Sequence, residues 1–338
     1  MNLPMIDGSD EPFVSPDEIP VGARVTVRVP ASSANLGPGY DSLGLALAHY
    51  DDLVVTRTAG MGELTFDLTG EGANEVPRDA SHLVVKAMLT AWKAVGLFEM
   101  PSLHIKAHNR IPHSRGMGSS ASAIVAGVTA ANGLLPAEHR LDADAVLQIC
   151  SGMEGHPDNV APSLYGHVVI SYGDDSGWHS LPVPAHASVV PIIAIPDYEV
   201  PTKVARGLIP ETVPHREATV NSGRAALLTQ ALASFPEYLL PATSDLLHQP
   251  YRAVAMKPSA ALVKHLRGLG YAAVISGAGP TVMVLARGQE ERAAVGAAIR
   301  SFAKQPEPNR HEGRDVTWRV LDIDIDTEGA MLTYEETA

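Results

Sequence analysis

The chain has a single cysteine, Cys150, in 338 residues, so no disulfide can form within it. That usage fits a reducing compartment. A thiol inside the apolar helical run at 145–150 reads as a buried structural group, not a nucleophile. Aromatic residues make up only 5%, which leaves Ala, Val and Leu to fill the core that a 45% hydrophobic content provides. No apolar run approaches the ~20 residues needed to cross a bilayer. Basic residues are also in deficit, with 25 Lys and Arg against 38 Asp and Glu. The net charge of -13 argues against nucleic acid as a partner and against a basic membrane-surface patch. It does not exclude an anionic nucleotide, because a local nest of backbone N–H groups can hold one. Residues 1–20 are acidic, carry Pro4, Pro12, Pro16 and Pro20, and lack the basic start and apolar centre of a secretion signal. The expectation is a disordered tail over 1–21 and a cytoplasmic protein.

What is present organises into two halves. Alternation at 24–29 sets Val25, Val27 and Val29 on one face of a strand. Further strands are expected at 53–57, 64–68, 102–107, 167–171 and 189–195, and helices at 83–95, 119–132 and 143–151. A turn-rich patch at 173–177, followed by Pro182 and Pro184, is the best candidate boundary, dividing the chain into 22–180 and 181–330. The second half reads as helices at 202–206, 215–232, 259–267 and 290–302, with strands at 272–276, 282–286 and 318–325. Strands and helices do not strictly alternate, so the class is α+β and not a doubly wound sheet.

Chemistry concentrates in glycine-bearing segments. Residues 112–122 read P-H-S-R-G-M-G-S-S-A-S and run into an Ala- and Val-rich helix. Gly116 and Gly118 permit backbone angles and close approaches that a side chain would block. Ser119 and Ser120 stand at the helix start, where unpaired N–H groups and the positive end of the dipole form a phosphate cradle. The segment has no Walker Gly-Lys-Ser/Thr and no Rossmann spacing, so on its own it is equally a helix cap in a tight turn. If nucleotide binds there, a serine hydroxyl also reaches Mg²⁺.

Residues 31–44, A-S-S-A-N-L-G-P-G-Y-D-S-L-G, hold Asn35 and Asp41 in a Gly/Pro loop after the first strand. An amide beside a carboxylate can hold a hydroxyl and an ammonium, or brace an Asx-rich structural loop, and the segment by itself favours the brace. Residues 154–163, E-G-H-P-D-N-V-A-P-S, gather Glu154, His156, Asp158 and Asn159. A carboxylate in this cluster can hold a metal opposite the serine, and His156 with Asn159 can orient an acceptor. The bland reading of His156 is a solvated loop histidine. Residues 276–281, S-G-A-G-P-T, lie between two strands and can be a plain hairpin turn.

Taken together and in this order, the segments resemble the GHMP-type small-molecule kinases. The loop resembles that superfamily's Pro-x-x-x-Gly-Leu-Gly-Ser-Ser-Ala motif, with Met117 at the usual leucine. N-L-G-P-G-Y-D-S-L-G and G-H-P-D-N-V-A-P resemble the homoserine-kinase branch, whose typical motif has Phe where this chain has Tyr40. The resemblance spans roughly residues 22–325. It implies a two-domain fold, with a ribosomal-S5-like α+β domain followed by a ferredoxin-like α+β domain, and a site in the cleft between them. It implies that Pro112, His113, Ser114, Arg115, Gly116, Met117, Gly118, Ser119, Ser120, Ala121 and Ser122 wrap the phosphates of ATP, with Mg²⁺ between Ser120 and Glu154. Substrate contacts are implied for Asn35, Asp41, His156, Asn159, Thr202, Arg206 and Arg252, the two arginines gripping a carboxylate. Other members carry an aspartate where this chain has Asn159. An amide cannot abstract a proton, so alignment and charge neutralisation must serve instead. His82 stands where relatives often have Asn, which leaves the adenine contacts open. The implied activity is ATP-dependent phosphorylation of L-homoserine. The alternatives are another GHMP kinase acting on mevalonate or a sugar, or a non-catalytic binding protein of the same fold. Relatives suggest a homodimer.

Overall fold

The computed structural model describes residues 14–335. Its first sheet is built on β1 (Arg24–Ala34) and the long β2 (Leu43–Met61), followed by β3 (Leu64–Gly70). After α1 (Leu83–Ala94) comes β4 (Pro101–Asn109), then the helices α2 (Ser119–Leu134), α3 (Ala143–Glu154) and α4 (Val160–Tyr165). The hairpin β5 (Val168–Asp174) and β6 (Gly177–Val183) hangs from the start of β2.

The second sheet opens with β7 (Val189–Pro196). Helices α5 (Thr202–Gly207), α6 (His215–Ala233), α7 (Leu239–Ala242), α8 (Gln249–Arg252) and α9 (Lys257–Gly268) lead to β8 (Ala273–Ile275) and β9 (Val282–Arg287). Then follow α10 (Gly288–Phe302), a small hairpin β10 (Arg310–His311) and β11 (Arg314–Asp315), β12 (Trp318–Asp322) and β13 (Met331–Glu335). The four-stranded order β12-β7-β9-β8, with α9 and α10 as its crossovers, is the ferredoxin-like half.

Sequence pattern explains the packing. Val25, Val27 and Val29 are fully buried on the face of β1 that joins the helical core, where α2 and α4 pack, as the alternation requires. Because aromatics are few, the helices pack through small residues. Trp92 is the exception, and its indole N–H donates to the Ala131 carbonyl at 3.0 Å. A second core joins the two sheets. It combines Leu45 and Leu47 of β2 with Ile193 of β7, Leu228 of α6, and Met117 from the glycine loop. That loop is therefore anchored in the interdomain core by its own side chain.

Three sequence expectations need correction. The turn-rich patch at 173–177 is the bend of the β5–β6 hairpin, whose pairing runs on to Val168 opposite Val183. The crossing between sheets therefore falls between Val183 and Val189, past the expected 180. At the other end β13 returns to the first sheet, with Leu332 opposite Val27, so the domains are not simply consecutive. The expected loop at 31–44 begins as strand, since residues 31–34 continue β1 after a bulge and pair with β2.

The tail expected over 1–21 is also too long. Residues 1–13 lie outside the described residues, but Val14 and Ile19 are buried. A Ser15–Glu18 capping box shapes the turn between them. The Arg57 guanidinium donates to the carbonyls of Pro16 and Ile19.

Candidate active site

The glycine loop follows β4 and ends on Gly118, whose φ of +72° sets the first turn of α2. A Cβ there would stand 2.1 Å from Ser32 Oγ, and at Gly116 (φ +74°) 2.2 Å from the Ser276 carbonyl oxygen. The loop thus lies flat on two other segments, which only glycine allows. No side chain caps α2, so the N–H groups of its first turn have no helical partner and stand where Ser119 and Ser120 line a cleft.

Segments from both halves hold the loop. Ser276 Oγ donates to the Gly116 carbonyl at 2.6 Å, and Gly277 N donates to the Ala34 carbonyl at 3.1 Å. Thr281 N donates to the Arg115 carbonyl at 3.2 Å. The 276–281 turn is therefore a brace between domains, more than a hairpin connector. Support of the loops by the 276–281 turn is what the family resemblance implies, whereas Ser32 escapes the sequence reading because a small hydroxyl residue in a strand has no signature of its own.

The cleft, about 140 Å³, is lined by Asn35, Pro112, residues 114–120, Glu154, His156, Asp158, Asn159, Thr202, Arg206 and Arg252, among others. Three expected loop members are not among these lining residues. His113 lies beneath Gly72, while Ala121 and Ser122 are buried inside α2. Ser120 Oγ donates to Glu154 Oε2 at 2.7 Å, linking the start of α2 to the end of α3. Asp142 caps α3 at its start and Gly155 closes it, which fixes Glu154 as its last residue. Burial raises the Glu154 carboxyl above its usual pKa, opposed by the Ser120 hydrogen bond. His156 Nδ1 and Asp158 Oδ1 are 2.5 Å apart. Burial presses the imidazole down, but the hydrogen bond and charge of Asp158 outweigh it and leave its pKa raised. Asn159 Oδ1 accepts from Ser32 Oγ at 3.0 Å.

Beyond these lies a cluster of charge. Arg206 on α5 meets Asp41 through two bonds, Nη2 to Oδ1 at 2.8 Å and Nη1 to Oδ2 at 3.1 Å. Arg252 is 1% exposed, and donates to the Ala205 and Gly277 carbonyls and to His248 Nδ1. Asn35 uses both ends of its amide on backbone, donating to the Gly277 carbonyl and accepting from Asp41 N at 2.9 Å. The brace reading of Asn35 is the one its geometry matches. Asn35 and Asp41 both have positive φ (70° and 52°), a strained conformation for non-glycine residues that concentrates at working sites.

Comparison with known proteins gives the family. Residues 82–167 match the family signature "GHMP kinases N terminal domain" and residues 223–305 match "GHMP kinases C terminal". The chain is 46% identical over 311 residues to a homoserine kinase of Clavibacter michiganensis, covering 92% of this chain and 94% of that one. The chain belongs to the GHMP kinases. A second relative, a homoserine kinase of Streptomyces coelicolor, is 52% identical over 265 residues, 78% of this chain and 85% of its own. Among solved structures, homoserine kinase from Cytophaga hutchinsonii superposes with a TM-score of 0.80 at 25% identity, covering 98% of this chain and all of that one. The GHMP kinase described here thus has the two-domain α+β fold of that family. No helix among its described residues is long and apolar enough to cross a membrane.

Proposed function

We propose that this kinase transfers the γ-phosphoryl group of ATP to the side-chain hydroxyl of L-homoserine, giving O-phospho-L-homoserine and ADP. The observation that carries this reading is that Arg206, which lines the same cleft as the uncapped helix start, is paired with Asp41 behind that lining. An amino acid zwitterion can take the place of both partners at once, its ammonium on Asp41 and its carboxylate on Arg206, with Arg252 as second donor. The hydroxyl end then faces the loop. Mevalonate and sugars have no ammonium and would leave Asp41 without a cation.

The triphosphate lies along residues 114–120, with backbone N–H groups of the loop and first turn as donors. Mg²⁺ fits the Ser120 hydroxyl and Glu154 carboxylate, oxygen donors of the kind it prefers, and when bound it would neutralise phosphate charge. Among the described residues no three His, Cys, Asp or Glu side chains converge on one metal. That suits an ion whose other ligands are phosphate oxygens and water. His156 and Asn159 orient the acceptor, and Thr202 closes its side of the cleft. The hydroxyl oxygen attacks the γ-phosphorus, the bond to the β-phosphate oxygen breaks, and the hydroxyl proton passes to an oxygen of the transferred phosphoryl group and from there to water.

A larger cleft of about 570 Å³ is lined by residues 70–75 with Asn109 and Arg110, and one of these, Gly72, packs against His113 of the loop. The reading includes operation in the cytoplasm and a homodimer, the latter tested by sedimentation. The deciding experiment is ADP release measured across homoserine, mevalonate, galactose and serine. Turnover of mevalonate without homoserine would reverse the assignment, and ATP binding without transfer to any of them would favour a binding protein.

A further inference from the structure

The Tyr40 ring lies against both guanidinium groups that reach the cleft. Its ring centroid lies 5.8 Å from the guanidinium carbon of Arg206 and 5.4 Å from that of Arg252, both within cation–π reach. Arg206 Nη1 also donates to the Tyr40 hydroxyl at 3.1 Å.

The arginines are held by different means. Arg252 is fixed by neutral acceptors, two carbonyls and a histidine nitrogen. Arg206 sits on the short, largely exposed α5, and its acceptors are the Asp41 carboxylate and the Tyr40 hydroxyl. A zwitterion entering the cleft must separate Arg206 from Asp41 to take both charges. Of the two acceptors, the neutral hydroxyl is the one that does not compete with the incoming carboxylate.

We propose that Tyr40 is a positioning residue for the substrate carboxylate: its hydroxyl keeps the Arg206 guanidinium in place while the Asp41 pair is exchanged for substrate. Burial and the adjacent Asp41 charge raise the phenol's pKa, so the acceptor stays uncharged and adds no rival anion. The phenylalanine of the motif this segment resembles offers the same ring face without the acceptor. The hydroxyl is therefore a feature of this chain's own sequence.

The inference rests on the reading of Arg206 as the carboxylate group, and its test separates the two. Steady-state kinetics in both substrates are compared for the parent, Tyr40→Phe, Arg206→Gln and the double variant, with kcat/KM taken at subsaturating homoserine. Tyr40→Phe is expected to raise the homoserine KM about tenfold, for loss of a hydrogen bond to a charged group. Its kcat and ATP KM should stay within about twofold of the parent. In the Arg206→Gln background the same change should alter kcat/KM by less than about twofold, because the group it acts through is gone.

An unchanged homoserine KM in Tyr40→Phe, with a clear rise in Arg206→Gln, overturns the role of Tyr40 and leaves that of Arg206 intact. No rise in Arg206→Gln removes the carboxylate reading itself. An equal effect of Tyr40→Phe in both backgrounds, or a parallel loss in kcat and ATP KM, marks the hydroxyl as structural and also overturns the proposal.

Discussion

Ser120 and Glu154, 34 positions apart in the chain, share a 2.7 Å hydrogen bond across the cleft floor. The hydroxyl stands at the positive start of α2 and the carboxylate at the end of α3, so this bond joins the two residues proposed to hold the cation. Glu154→Ala is expected to lower kcat by about 100-fold or more while the homoserine Kd stays nearly unchanged. Kinetics with titrated Mg²⁺, together with calorimetric homoserine binding, check this. Parallel loss of binding and thermal stability would make Glu154 a structural residue.

Gly116 is pressed against the Ser276 carbonyl with φ +74°. Gly116→Ala places a methyl group where no space exists, and should cost about 2 kcal/mol or more of stability. It should also raise the ATP KM by more than about tenfold, since the loop must lift from its brace. Thermal unfolding and ATP kinetics give the two readouts. Normal ATP affinity in a folded Gly116→Ala variant would detach this loop from the nucleotide.

Arg252 is buried with its Nε and Nη1 donors committed to three acceptors. Arg252→Ala should raise the homoserine KM by an amount equivalent to roughly 2–5 kcal/mol, with the ATP KM little changed. A drop in melting temperature should accompany it, because His248 and two carbonyls lose a donor. Retention of the parent KM would remove Arg252 from the substrate site.

His156 carries a pH signature. Its folded-state pKa is raised above the ordinary 6.5 by Asp158, against the opposing effect of burial. The stabilisation from the charged pair is therefore full below pH 6.5 and is lost as pH rises through the folded-state value. The melting-temperature gap between the parent and His156→Gln should be widest in mild acid and narrow towards alkaline pH. A gap that widens with rising pH would show that the imidazole is not held charged by its neighbour.

Much of this was legible in the residues. The strand at 24–29 and the helices after the glycine loop and near 215 follow from periodicity and order, and the ferredoxin-like second half from the family resemblance of the motifs. These signals are local, or repeat along one element. Less legible was the end of the first sheet, because a hairpin bend and a domain boundary share the same turn residues. The placement of β13 was equally hidden, since strand pairing across the whole chain leaves no local mark. His113, Ala121 and Ser122 sit within the loop motif yet outside the cleft lining, because a motif gives order and not the direction of each side chain.

The amino-acid sequence by itself determined the family, the helix-start glycine loop and the acidic residue that faces it, since each depends on residue types at short spacing. Tertiary structure alone decided that Asp41 pairs with Arg206, that Asn35 donates to the Gly277 carbonyl and that Ser32 reaches Asn159. Those relationships join residues more than a hundred positions apart, and a hydrogen bond is fixed by distance and angle, which only the packed chain supplies.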